Sequence, residues 1–301
     1  MRHTPQSQRI KGILCILCAA FGFALMNMFV RLSGDIPTFQ KAFFRNFIAL
    51  LVALVLLARS HVHVKLEKKD IGLLVLRSLV GTIGILCNFY AVDHLVLADA
   101  SMLSKMSPFF AIIFSYLLLK EKVTPVQIIA VLGAFAGSLL IIKPSFDFAK
   151  VLPASIGLLG GIMAGSAYTC VRMLGKRSVP GTFIVVFFSA FSCLATLPNL
   201  IFNYEPMSLY QWAMLILAGV TASIGQFGIT AAYRFAPARE LSVYDYSQVV
   251  FSAILGFFVF HQIPDQWSVL GYVVIIAIAV AMAVYNNRRD KQGKLGKLGR
   301  V

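Results

Sequence analysis

Phe29-Val30-Arg31-Leu32, closing one apolar run, is answered 141 residues later by Cys170-Val171-Arg172-Met173 at the close of another. The same offset joins Leu118-Leu119-Lys120-Glu121-Lys122-Val123 to Val259-Phe260-His261-Gln262-Ile263-Pro264. Self-similarity at a fixed period marks an internal duplication and precedes the interpretation of any single residue. Around these markers the 301 residues are 59% hydrophobic and 13% charged, with a mean hydropathy of +0.82. Such a composition excludes a soluble globule.

Apolar runs bounded by charge, Pro or Gly occupy residues 12–32, 39–58, 71–92, 97–119, 125–142, 154–174, 182–202, 209–235, 241–260 and 267–285. Each is close to the roughly 20 residues that one helical crossing of a bilayer needs. Lipid offers backbone amides no partner, and the runs lack the period-two alternation of barrel strands, so each is expected to be a helix. The expected fold is therefore an all-α polytopic membrane protein of ten transmembrane helices in two repeats, residues 11–143 and 153–286, followed by a basic tail, 287–301. Five helices per copy is an odd number. The second copy must then enter the membrane with opposite orientation, which gives the inverted repeat found in alternating-access carriers.

Charge sets the orientation. Of the 27 Lys and Arg residues, 19 fall on one side, from Arg2, Arg9 and Lys11 through the alternate loops to the tail after Arg288, whereas Arg31, Lys41, Lys143 and Lys150 fall on the other. Both termini are expected in the cytoplasm, with the chain in the cell (inner) membrane. The net charge of +15 is thus spent on membrane loops and calls for no nucleic acid. The tail is expected to be solvated and poorly ordered. The first run follows Arg9 and Lys11 as a signal peptide would, but it continues to Val30 without a small-x-small cleavage site and reads as a retained helix. Cys15, Cys18, Cys87, Cys170 and Cys193 all lie within apolar runs, where a thiol packs as a small hydrophobe.

Several stretches carry a resemblance: Gly22-Phe23-Ala24-Leu25-Met26-Asn27 through Arg31, Ala42-Phe43-Phe44-Arg45, Asn88-Phe89-Tyr90-Ala91 through Ala98-Asp99-Ala100-Ser101, and Pro108-Phe109-Phe110. Lys120-Glu121-Lys122-Val123-Thr124 with Gln127, and Ala232-Tyr233-Arg234 with Ala236-Pro237-Ala238, continue it. In order, spacing and duplication they resemble the drug/metabolite transporter superfamily, EamA type, over residues 11 to 286. The resemblance implies ten helices in two inverted EamA repeats, a central cavity between the halves, and transport without ATP hydrolysis. Gln262 stands where the family pattern has glutamate, which weakens that position as a functional mark in the second half. Independently of family, no GxxxxGK[ST] phosphate loop occurs, and no cofactor is expected.

Ionisable residues inside a membrane face a cavity or a partner more often than lipid. Arg45 reads as an anion clamp for a carboxylate or phosphate, or else as an arginine snorkelling outward or paired with a carboxylate. Arg77, six residues into its run, is expected to snorkel or to be structural. Lys105 lies mid-run with Ser101, Ser104 and Pro108, and the repeat offset sets Ser104 against Asp245 and Lys105 against Tyr246. Gln248 and Ser252 extend a polar stripe from Asp245. Lys105 and Asp245 either form an ion pair or bind substrate or a coupling proton. Among uncharged candidates (Asn27, Asn88, Tyr90, Tyr168, Ser189, Ser223, Gln226 and Tyr244), interhelical hydrogen bonding competes with ligand contact, and Asn27 and Gln226 rank first.

The candidate substrate-binding set is Asn27, Arg45, Asn88, Lys105, Tyr168, Gln226, Asp245, Tyr246 and Gln248. Such a cavity suits a small zwitterionic or amphipathic metabolite, amino acids first. Gly157, Gly161 and Gly165 on one run and Gly133 and Gly137 on another permit close helix contact, within one bundle or in a homodimer. His94, Asp93 and Asp99 are assigned to an outer loop. A hydrolase is excluded for want of HExxH, GxSxG or a clustered ligand set. The leading function is a secondary carrier exporting or exchanging a small polar metabolite; a flippase for a lipid-linked substrate and, more remotely, a membrane enzyme are the alternatives. The expected partners are substrate, membrane lipids and a coupling proton, in a monomer or homodimer.

Overall fold

In the computed structural model, residues 5–60, 66–119, 124–142, 148–235 and 244–298 are described. They form helices α1 (Pro5–Leu32), α2 (Thr38–Ser60), α3 (Lys68–His94), α4 (Leu97–Ser104), α5 (Ser107–Leu119), α6 (Pro125–Ile142), α7 (Phe148–Lys176), α8 (Gly181–Phe202), α9 (Leu209–Phe235), α10 (Ser247–Phe260) and α11 (Gln266–Leu298). Among the described residues there is no strand. Eight spans are long and apolar enough to cross a membrane, α4 and α5 together making one of them, and Ile128–Ile142 and Ser247–Phe260 are shorter apolar helices. The surface is inside-out relative to a soluble protein: Ile129, Leu132, Leu194 and Phe258 are exposed, while Asn27, Lys41, Arg45, Arg77 and Lys105 are buried. Side chains of the first kind meet lipid, and those of the second must find partners in the interior.

The packing obeys the 141-residue exchange. α1 lies along α9 as α3 lies along α7; α2 meets α9 as α8 meets α3; α1 meets α10 as α7 meets α4 and α5. The pairs α2·α8, α4·α10 and α6·α11 map onto themselves. Pairings that exchange in this way require a two-fold relation between the halves. Local chemistry is duplicated too. Glu67 and Asp70 form a capping box at the start of α3, and at the same offset Ser208 and Gln211 bond reciprocally at the start of α9. Each cap also reaches the other half: Asp70 accepts from Arg177, and Gln211 Nε2 donates to the Ser33 carbonyl at 3.2 Å. Hydrogen bonding to Asp70 raises the Arg177 pKa above its ordinary value.

Glycines set the tightest approaches. A Cβ on Gly161 would stand 2.5 Å from the Leu103 carbonyl oxygen, and one on Gly165 would stand 2.7 Å from that of Ser107. The every-fourth-residue stripe of α7 therefore seats the α4–α5 junction, and Gly133 and Gly137 of α6 likewise receive Ile278 and Ile275 of α11. Both stripes are used inside the bundle. At the C-terminus α11 runs on to Leu298, so residues 287–298, expected to be poorly ordered, continue the last helix.

Candidate functional site

The run expected as one crossing over 97–119 is two helices. Pro108 has no N–H, and its ring disfavours helix across the preceding turn, so α4 stops at Ser104 and α5 starts at Ser107. Lys105 sits in the break with φ −76° and ψ 5°. Breaking the ladder frees its carbonyl, which accepts the Tyr246 hydroxyl at 3.2 Å. Tyr246 lies 141 residues further on, in the turn that opens α10, so the two halves interrupt their helices at corresponding places. Lys105 Nζ lies 2.7 Å from Asp245 Oδ2, and both side chains are buried. The ion pair foreseen as one alternative is thus formed. Asp245 Oδ1 has no partner, and Lys105 Nζ lies 5.9 Å from the centre of the Phe23 ring.

A polar relay runs beside the pair. Asn88 Nδ2 donates to Asn27 Oδ1 at 3.1 Å, Asn27 Nδ2 to Ser101 Oγ at 3.4 Å, and Ser101 and Ser252 share a 2.7 Å hydrogen bond. It links α3, α1, α4 and α10. Gln248 is buried in the first turn of α10, and Gln226 is half-buried on α9.

Arg45 of α2 is 4% exposed; its Nη1 donates to Asn46 Oδ1 at 2.6 Å, and its Nε has no partner. Asn46 is held by the Ala42 carbonyl and by Ser192 Oγ of α8. Of the two expectations for Arg77, the structure departs from snorkelling. Counted from the start of α3 at Lys68 it lies two and a half turns in, roughly 14 Å along the axis, too deep for a side chain to snorkel out comfortably. Its guanidinium lies 3.7 Å from the centre of the Phe188 ring, with Nε and Nη1 unpartnered. Arg45 and Arg77 are close enough to repel, and each acts electrostatically on Tyr168 of α7. Tyr168 is 40% exposed.

Other candidates fall elsewhere. Tyr90 stacks on His94 at 4.1 Å, Tyr244 packs against Ile16, Ala19 and Ile229, and Ser223 bonds the Gly219 carbonyl of its own helix. Asp99 and its neighbours correct the outer-loop assignment: Asp93 and His94 end α3, Asp93 receives the fully buried Lys41 at 2.7 Å, and Asp99 is buried in α4, accepting the Tyr272 hydroxyl. Gln262 Oε1 accepts the Leu97 N–H at 3.0 Å and so caps the start of α4. Stretches 120–123 and 236–238 of the resemblance lie outside the described residues.

The EamA-like transporter family model matches twice, at residues 10–143 and 152–284. The chain belongs to the EamA-like transporter family. This EamA-like transporter is 32% identical over 285 residues to the pseudopaline exporter CntI of Pseudomonas aeruginosa strain UCBPP-PA14, across 94% of the chain and 97% of that relative. It is 26% identical to a riboflavin transporter of Vibrio cholerae, across 97% and 98% of the two chains, and 25% identical to human solute carrier family 35 member G1, across 91% and 79%. A crystal structure with 17% identity superposes with a TM-score of 0.66 over 92% of this chain and 98% of the other, which supports the fold. The family and these relatives are transporters, not enzymes.

Proposed function

We propose that the protein is a secondary carrier that moves a small polar metabolite, an amino acid or a related zwitterionic or amphipathic compound, by alternating access. It works as an exporter or exchanger in the cell (inner) membrane, with both termini cytoplasmic and with residues 11–143 and 153–286 as oppositely oriented halves. The observation that carries this reading is the meeting of two interrupted helices through Lys105, Asp245 and Tyr246, because carriers bind substrate where paired broken helices expose polar groups in mid-membrane. The relatives named for pseudopaline export and riboflavin transport support small-molecule cargo.

The proposed substrate-binding side chains are Asn27, Arg45, Asn88, Lys105, Tyr168, Gln226, Asp245, Tyr246 and Gln248. Asp245, whose buried Oδ1 has no partner, is the group that would carry a coupling proton. In proteoliposomes the purified protein should show saturable counterflow of a labelled solute from a panel of amino acids, nucleoside-like metabolites and amines, without forming a product. Conversion without counterflow overturns the carrier, and movement of labelled lipid alone would favour a flippase.

A further inference from the structure

Two buried arginines lack a counter-charge. Neither Arg45 nor Arg77 forms an ion pair with a described residue, whereas the buried and half-buried aspartates of the described helices are engaged: Asp245 with Lys105, Asp93 with Lys41, Asp99 with Tyr272 and Asp70 with Arg177. Lys105 and Asp245 cancel, so among these described groups the unpaired charges are those of the two arginines. Unpaired like charges in a low-dielectric interior are costly and persist where a function uses them.

The fold does not ask for them. Features that build the bundle recur at the 141-residue offset, as do the paired caps and the Lys105 and Tyr246 breaks. At that offset Arg45 corresponds to Val186 and Arg77 to Ala218. The same two-fold scaffold is thus built in the second half without either arginine.

Their geometry suits an oxyanion. Phe188 covers the face of the Arg77 guanidinium, and its buried Nε and Nη1, on different edges of the group, each lack a partner and can each donate to an oxyanion. Arg45 adds a buried, unpartnered Nε, and Ser189, next to Phe188 on α8, adds a buried hydroxyl without a partner. Gly81 makes room for this stack: a Cβ there would stand 2.7 Å from Arg77 Nη1 and 2.9 Å from the Phe188 ring.

We propose that Arg45 and Arg77 together form the anion site of the carrier and that its substrate is net negative, bearing more carboxylates than amines. This inference rests on the carrier reading and sharpens its substrate class. The test is thermal stabilisation of the purified protein by glycine, glutamate, citrate and inorganic phosphate at matched ionic strength. Stabilisation should rise with carboxylate number, citrate above glutamate above glycine. The citrate concentration for half effect should rise about tenfold in Arg77→Gln and by a smaller factor in Arg77→Lys, which keeps the charge and loses the fork. The Lys variant also serves if Arg77→Gln does not fold. Absence of charge-ordered stabilisation, a response to phosphate above that to citrate, or citrate affinity unchanged in the Arg77 variants overturns the proposal. Charge-ordered, arginine-dependent binding without counterflow would uphold this site and defeat the carrier. Counterflow of a neutral amino acid, unaffected by Arg77→Gln, would do the reverse.

Discussion

Neutralising Lys105 should unbalance the centre of the molecule. Lys105→Met leaves Asp245 ionised and buried beside a junction whose side chains are less than a tenth exposed. Removing one partner of such a pair costs about 3–5 kcal/mol. At roughly 2–4 °C per kcal/mol for a chain of this order of size, the apparent Tm in detergent should fall by about 10 °C. Asp245→Leu, which strands Lys105 near Phe23, should cost a similar amount. The double variant replaces a 2.7 Å ion pair with apolar groups of comparable volume and should recover most of the loss. Counterflow should not recover, because both groups belong to the proposed substrate site. A double variant melting below both singles would refute the coupling, and one transporting at the wild-type rate would remove the pair from the site.

Gly161→Ala pushes a methyl group onto the Leu103 carbonyl, which cannot rotate away, and should cost about 1–3 kcal/mol. Gly133→Ala meets only the tip of Ile278 and should cost less, while Gly72→Ala, with nothing within 4 Å, should stabilise by up to about 1 kcal/mol; equal melting shifts for all three would contradict this packing. Tyr246→Phe strands the freed Lys105 carbonyl and should lower stability by about 1–2 kcal/mol in the same melts, and an unchanged Tm would argue against the bond across the breaks. In a cysteine-free background, Ser60→Cys and Lys176→Cys should resist an impermeant thiol reagent added outside intact cells and Asp147→Cys should react, and the opposite pattern would invert the orientation.

Helix positions were legible because lipid forces each apolar run to satisfy its own backbone, and the duplication was legible because the run ends recur at one offset. The first break was half-legible: Pro108 was visible, but a single run over 97–119 hid its consequence. The second, at Tyr246, has neither proline nor glycine beside it and is marked by a hydrogen bond to the Lys105 carbonyl that no local pattern reveals. The snorkelling alternative for Arg77 came from measuring its depth along the apolar run, whereas the helix starts at Lys68 and carries it deeper. The signal that would have found it is Gly81, one turn on, which leaves room for the guanidinium. Asp99 looked like a loop residue because its partner, Tyr272, stands 173 positions away and no local pattern reveals it.

Alternating access around the two-fold is tested most directly at Tyr168, a 40% exposed member of the proposed substrate site that interacts electrostatically with Arg45, Arg77 and Asp245. Tyr168→Cys, in protein with Cys15, Cys18, Cys87, Cys170 and Cys193 replaced, would be reconstituted in one orientation and exposed to an impermeant maleimide added separately outside or inside the vesicles. Exchange between outward-open and inward-open states predicts labelling from either side, slowed in both cases by saturating substrate. Labelling from one side alone under all conditions would contradict alternating access.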